Sequence, residues 1–464
     1  MSTHPITART PLADAILTLP TNVANFHALP ISSSATIESD PELATIYSCL
    51  FGSHLQAEAS YSSPAIDSFF HPTGPLLEAQ QLAAKAFDVD ATFFGSCGTT
   101  LSNLAALDGA IRPGGKILLD RTAHQSLHIA AHTTKSDVDY APIIPNYLHT
   151  NLPSLDIEAT ISLLKESSKN SQPYDVVAIS VSSYEGLTYC MSEVLERIYE
   201  ASPTTTVIAD EAWGAINTFI PSLRKYSTIE AALNLRSKGA DPQVIVTQSA
   251  HKTLAALRQA SMIHVLGSTK LIDSIQSSLR AYHTTSPSWP ILASIDLSRA
   301  HACRNAPHAY QKLSIAKLKL LDSIDNLDHF HVERSSEKIP KFMARDPLKF
   351  RIEFDSSIES SRLRSTLFYN YGVYVSRANS NSFLIHMHMG NLGQEDRLLT
   401  ALSNLDMKSG SQPPSTSLNP KGGLVVAYPP GIPLLTPNET WDQIHHEVLK
   451  SCLSQDLDIY HLSV

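Results

Sequence analysis

"TQSAHKTLAALRQASMIHV", residues 247–265, decides how this chain is read. A short apolar run, Val244 to Val246, leads into it, and the closing "SMIHV" reads as a second strand. Between them stands Lys252, directly after His251. A lysine at a strand end in a partly desolvated pocket has its charged form disfavoured, so its amine becomes a usable nucleophile. The common use of such an amine is a Schiff base with an aldehyde cofactor or a carbonyl substrate. The other reading is a lysine exposed to solvent.

The surroundings give that lysine a frame. "ATFFG" (91–95), "KILLD" (116–120), "DVVAISV" (175–181), "TVIAD" (206–210), "QVIVTQ" (243–248) and "SMIHVLG" (261–267) are short apolar runs, most of them rich in β-branched residues. "GPLLEAQQLAAKAF" (74–87) and "GTTLSNLAALDGAI" (98–111) have helical spacing or strong helix formers. Apolar strands alternating with helices predict an α/β fold with a mostly parallel sheet covered on both faces. Working residues then collect at the carboxyl ends of strands. Asp120, Asp210 and the Ser249–Lys252 turn all stand at such ends.

Beyond residue 300 the texture changes to "KFRIEFD" (349–355), a helical 357–372, "VYVSRA" (373–378), "SFLIHMHM" (382–389) and a helical 394–405. These predict a small α+β domain. A polar linker over 410–423 and an apolar segment broken by prolines, "LVVAYPPGIPLLTP" (424–437), follow it. The domain reading is an N-terminal arm over 1–56, a large domain over 57–300 and a small C-terminal domain over 301–464.

Composition excludes some functions. With 464 residues, 43% apolar and 17% charged, the chain can bury a sizeable core. A net charge of −9 argues against nucleic acid or an anionic membrane as the main partner, because those need clustered Lys and Arg. No apolar run reaches the roughly 18 residues of a membrane helix. The five cysteines are scattered and include no CxxC, as expected of reduced thiols in a cytoplasmic protein. "HMHMG" (386–390) puts two histidines on one strand face, but no third ligand accompanies them, so no metal is expected.

Three further positions carry chemistry. Asp210 ends an apolar strand, and a buried carboxylate there needs a cation or several hydrogen bonds. A protonated pyridine nitrogen would serve, as in pyridoxal phosphate (PLP) sites, and a helix N-cap is the alternative. Gly98, Thr99 and Thr100 open a helix after a strand, which suits a phosphate or an ordinary cap. His124 follows "LLDRTA" and could stack on a flat ring or move a proton. A partly buried structural histidine is the plainer reading. A phosphate-type turn, a histidine, an aspartate and a lysine thus fall in order at successive strand ends. That is the layout of a PLP enzyme with the aspartate aminotransferase fold.

The chain resembles the prokaryotic-type ornithine/lysine/arginine decarboxylases, from about residue 57 to 300 and again near the C-terminus. "SAHKTLAALRQASMIHV" is similar to that family's lysine signature, which implies Lys252 as the Schiff-base residue. "ADEAWGA" implies Asp210 against the pyridine nitrogen, Ala212 against the ring and Trp213 beside it. "DRTAHQS" implies a ring-stacking His124, and "GSCGTTLSN" implies Gly98, Thr99 and Thr100 as phosphate contacts, joined by Ser249 and His251. "HTTSPSWPILASID" (283–296) resembles a segment that crosses a dimer interface, implying that Thr285 or Ser286 helps the partner's phosphate. The resemblance also implies a homodimer with shared sites.

The implied activity is decarboxylation of lysine, ornithine, arginine or a related amino acid. Asp210 would strengthen the cofactor's electron sink, and His124 or Lys252 would return a proton to Cα. A basic side chain needs an acid at its distal end, for which Glu58, Asp67 and Glu439 are candidates. Departures from the family keep a different PLP reaction open: oxidative deamination, carbon–carbon cleavage or transamination. Arg258 stands where a small hydroxyl residue is usual, and only "FHALP" (26–30) occurs where the family has a "PGH"-type segment. Arg258 could disfavour a dibasic substrate or simply be exposed. Arg345, Arg351 and Arg377 are possible carboxylate ligands, which transamination would need.

Overall fold

The structure, a computed structural model, describes residues 8–20, 23, 26, 29, 31, 39–52, 54–62, 65–144, 154–333, 339–358, 360–376, 381–406, 424–428, 431–436, 439, 443–454 and 457–462. The described strands are β1 (Ala91–Gly95), β2 (Lys116–Asp120), β3 (Asp137–Ala141), β4 (Val176–Ser180), β5 (Leu187–Tyr189), β6 (Thr206–Asp210), β7 (Val244–Ser249), β8 (Ser261–Leu266), β9 (Phe330–Val332), β10 (Met343–Arg345), β11 (Lys349–Phe354), β12 (Ser382–His386), β13 (Leu424–Tyr428), β14 (Ile432–Leu435) and β15 (Asp458–Leu462). Every apolar run cited from residues 91 to 267 forms one of them, because β-branched side chains suit a sheet buried on both faces.

The chain divides into two compact units, each discontinuous in sequence: Met1–Arg112 with Thr206–Ala306, and Pro113–Thr205 with Pro307–Val464. The helix Trp289–Asp325 spans residue 300, where the sequence divides the large domain from the small one.

In the first unit the strand order is β1-β8-β7-β6. β6 and β7 are parallel, with Asp210 beside Thr247. β8 runs antiparallel to both neighbours, pairing Ser261 with Ser249 on one side and with Gly95 on the other. Helices Pro75–Phe87 and Gly98–Ala110 belong to this unit. Within the expected N-terminal arm, Pro11–Leu17 is a helix with Leu12, Ala13 and Ile16 buried. It is tied to the helix Trp289–Asp325 by Asp296, which accepts from the Leu12 N–H at 3.0 Å.

In the second unit β2 lies between β3 and β4 and is parallel to both. A separate antiparallel sheet, β12-β11-β9, packs Ile352, Phe354 and Phe383 against Leu363, Leu367 and Leu402. "VYVSRA" departs from expectation: residues 373–376 form no strand, because the Val373 N–H turns back to the Leu367 carbonyl, and Arg377 lies outside the described residues. β5 and β10 pair as a two-stranded sheet, and the C-terminal β13, β14 and β15 form a further sheet over Leu449, Cys452 and Leu457. The expected polar linker over 410–423 also lies outside the described residues. Among the described residues, no helix is long and apolar enough to cross a membrane.

Candidate functional site

Two parallel strands deliver the central groups of the first unit. β6 ends on Asp210, which is buried. Its Oδ2 accepts from Asn103 Nδ2 at 2.9 Å and its Oδ1 from the Ala212 N–H at 3.0 Å. Asn103 Oδ1 in turn accepts from Thr247 Oγ1 at 2.6 Å, so the amide is held from both ends and its orientation is set. Asn103 and Thr247 escaped the sequence reading. The signal was a polar residue on the apolar helix Gly98–Ala110.

β7 ends on Ser249 and passes into the one-turn helix Ala250–Thr253, which carries Lys252. Lys252 Nζ lies 4.7 Å from the centre of the Trp213 ring. Burial pushes its pKa below the ordinary lysine value, while the Asp210 carboxylate pulls the other way. His251 donates from Nδ1 to the Ala260 carbonyl at 3.0 Å, leaving its other nitrogen as an acceptor. Its pKa is lowered by burial, with Lys252 and Arg258 adding to the effect.

The turn before the helix Gly98–Ala110 meets the end of β7 and the segment at Gln259. Gly98 has φ +75°, in the left-handed region where glycine is favoured, and beyond its own helix turn and chain neighbours the space where a Cβ would lie is open. Thr99 Oγ1 and Ser249 Oγ are 2.5 Å apart and buried, at the start of a 13-residue helix. The Gly98 N–H bonds the Gln259 carbonyl at 2.8 Å. Behind the turn, His283 accepts the Ser96 N–H at Nε2 (3.1 Å) and donates from Nδ1 to the Thr284 carbonyl (3.0 Å). Thr100, Thr285, Ser286 and Arg258 are exposed in this chain.

His124 is held by its own unit. It caps the helix Gln125–Thr133, accepting the Ser126 N–H at Nδ1 (3.2 Å), so its proton sits on Nε2. The turn before it is fixed by buried Asp120, which accepts from Thr122 N and Oγ1, both at 2.7 Å, and from Ser180 N at 3.1 Å. Burial pushes Asp120 up to about 6. On the other side stands Gly431, at φ +95°, where an added Cβ would come within 3.0 Å of His124 Nε2. Gly431→Ala is therefore expected to displace the imidazole and cost about 1–3 kcal/mol. Thermal unfolding and the His124 ring resonances check this.

The acids proposed for the substrate's distal end separate. Asp67 is buried and accepts four backbone N–H groups, from Ser68, Thr73, Gly74 and Leu76, which gives it a structural task at the start of the helix Pro75–Phe87. Glu439 grips buried Arg121 through two bonds of 2.7 and 2.6 Å, while Arg121 also donates to the Pro433 and Leu434 carbonyls. That clamp ties the C-terminal sheet to the end of β2. Glu58 is half-buried, and burial raises its pKa against the opposing pull of His54. Among the arginines, Arg345 pairs with Glu333 at 3.3 Å, and Arg351 is buried and donates to Ser382 Oγ at 3.2 Å.

Residues 11–338 match the family model of the Orn/Lys/Arg decarboxylase major domain, and the chain belongs to that family. It is 28% identical over 329 residues to the uncharacterized protein YaaO of Bacillus subtilis, covering 70% of this chain and 64% of that protein. It is 28% identical over 274 residues to the ornithine decarboxylase of Haemophilus influenzae, covering 53% of this chain and 36% of the relative. The chain thus spans less than two thirds of each of these relatives. In fold it is similar to the solved constitutive lysine decarboxylase of Escherichia coli, with a TM-score of 0.78 at 19% identity over 98% of this chain and 80% of that one. The α/β architecture expected from the strand pattern is therefore the one the family uses.

Proposed function

We propose that the chain is a PLP-dependent decarboxylase of lysine, ornithine, arginine or a related amino acid, releasing carbon dioxide and an amine. The observation that carries this reading is the pairing of a twice-bonded, buried Asp210 with a desolvated Lys252 at the ends of adjacent parallel strands. Membership of a family named for such decarboxylases supports it. The residues present fit PLP: an open cradle at Gly98, Thr99 and Ser249 for its phosphate, Asp210 for its ring nitrogen and Lys252 for its aldehyde.

When bound, PLP supplies an aldehyde that captures amines and a ring that accepts the electron pair of a breaking bond at Cα. The chain's own groups do the rest. Asp210, oriented by Asn103 and the Ala212 N–H, would keep a proton on the ring nitrogen. Lys252 has its neutral amine favoured by burial, so it exchanges with the substrate amine at lower pH than an exposed lysine would. The helix start would hold the phosphate through backbone N–H groups after Gly98, whose own N–H is bonded to Gln259, and through the Thr99 and Ser249 hydroxyls. By the family resemblance, His124 would lie against the ring and would carry the proton returned to Cα. Among the acids proposed for the distal amine, Glu58 is the one without a structural commitment of the kind seen at Asp67 and Glu439. We further propose a cytoplasmic homodimer in which Thr285 or Ser286 reaches the partner's phosphate.

The test is carbon dioxide release from PLP-loaded protein over a panel of amino acids, with mass spectrometry of every product. Carbon dioxide and one amine from a basic amino acid are expected. A keto acid or aldehyde without carbon dioxide would overturn decarboxylation and direct attention to other PLP reactions.

A further inference from the structure

Behind the candidate lysine lies a buried polar chain that the proposed reaction does not use. Glu211, Gln248 and His264 are fully buried, and Thr92 is nearly so. Glu211 accepts the Thr228 N–H at Oε1 and Gln248 Nε2 at Oε2, the latter at 3.1 Å. Gln248 Oε1 meets His264 Nε2 at 3.1 Å, and His264 Nδ1 meets Thr92 Oγ1 at 2.9 Å. The amide dictates the imidazole's form. With its oxygen toward His264, Nε2 must carry the hydrogen and Nδ1 must accept from Thr92.

The chain runs from Glu211, the residue after β6, through Gln248 on β7 and His264 on β8 to Thr92 on β1. Alternation along β7 sends Thr247 and Ser249 to one face and Gln248 to the other. The first face meets Asn103 and Thr99, and the second meets Glu211 and His264. The strand end that carries Lys252 is therefore gripped from both sides. Burial, with the neighbouring Asp210 carboxylate adding to it, pushes Glu211 up to about 7 against the hydrogen bonds from Thr228 and Gln248. From the helix Thr228–Ser237 the contact is the Thr228 N–H, and that helix's acid, Glu230, pairs with Arg224 at 3.2 Å. His264, the titratable group on β8, is held neutral by burial, down to about 3.

We propose that Glu211, Gln248, His264 and Thr92 form a positioning chain for Lys252 whose hydrogen-bond direction reverses when Glu211 takes up a proton. One proton comes from solvent to Glu211 Oε2. That oxygen now donates, so the Gln248 amide turns over to present its carbonyl. Gln248 Nε2 then donates to His264 Nε2. The imidazole exchanges its Nε2 hydrogen for one on Nδ1, stays neutral and donates to Thr92 Oγ1. No heavy atom outside the Gln248 amide has to move, because the amide oxygen and nitrogen that exchange places are nearly equal in size. Glu211→Gln copies the protonated state.

Histidine-selective 15N NMR of the full-length protein, with and without PLP, reads the tautomer directly. In the wild type His264 is expected to carry its hydrogen on Nε2 at pH 8.5 and on Nδ1 at pH 5.5, with the change near neutrality. In Glu211→Gln it is expected on Nδ1 at both. A wild-type tautomer that does not change with pH overturns the proposal, as does a variant that behaves like wild type. Stability gives a second reading. A carboxyl with a raised folded-state pKa contributes stability that is full below its unfolded value and is lost as pH rises through about 7. The Tm advantage of Glu211→Gln over wild type should therefore grow from pH 5 to pH 8, and a constant difference counts against the chain. Its assignment to Lys252 rests on the PLP reading, but the tautomer signal does not require carbon dioxide release, so the two can fail separately.

Discussion

Replacing Lys252 by alanine is expected to lower carbon dioxide release by on the order of 10³-fold or more, since the residue proposed as the Schiff-base nucleophile is lost. The geometry explains the size. Lys252 sits on a one-turn helix at the end of β7, with its ammonium 4.7 Å from the Trp213 ring centre. Burial favours its neutral amine, and Asp210 limits that shift. Borohydride reduction of the PLP-loaded wild type followed by peptide mapping should place the cofactor on Lys252, and the variant should retain none covalently. Small primary amines added to the variant should restore part of the rate. Full activity in the variant would remove Lys252 from the mechanism.

The second large effect is on stability. Asp296 and Arg299, one turn apart on the helix Trp289–Asp325, form an ion pair of 2.6 Å with both side chains wholly buried. Asp296 also accepts the Leu12 N–H, and Arg299 donates to the Arg9 carbonyl, so the pair anchors the N-terminal helix. Asp296→Ala leaves a buried guanidinium without its carboxylate and is expected to cost about 3–5 kcal/mol. Denaturant unfolding should show a lower midpoint, and limited proteolysis should cut first near residues 8–18. Removing both charges with Asp296→Ala and Arg299→Met should recover much of the loss, because the penalty lies in the orphaned charge rather than in the missing pair. A loss under 1 kcal/mol in the single variant would mean that water reaches Arg299.

Much of this protein was legible in its sequence, for identifiable reasons. Strands buried on both faces must be apolar, so runs such as "VIVTQ" and "TVIAD" announce themselves, and their ends locate Asp210 and Lys252. The helix opened by Gly98 was legible from the glycine and the hydroxyls behind it. The exposed Thr100 shows the limit, since sequence does not say which hydroxyl of a helix start turns inward.

What the tertiary structure decided are the partners of polar groups far apart along the chain. Asn103 meets Asp210 across 107 residues, and Arg121 meets Glu439 across 318. An acid looks the same in the sequence whether it anchors a substrate, gathers backbone N–H groups as Asp67 does, or clamps an arginine as Glu439 does. Likewise His264 is one polar residue in an apolar strand until β7 brings Gln248 against it. Local pattern determines which segments are buried, because burial follows side-chain hydrophobicity. Which buried polar groups satisfy one another depends on how the strands are ordered, and only the folded chain sets that order.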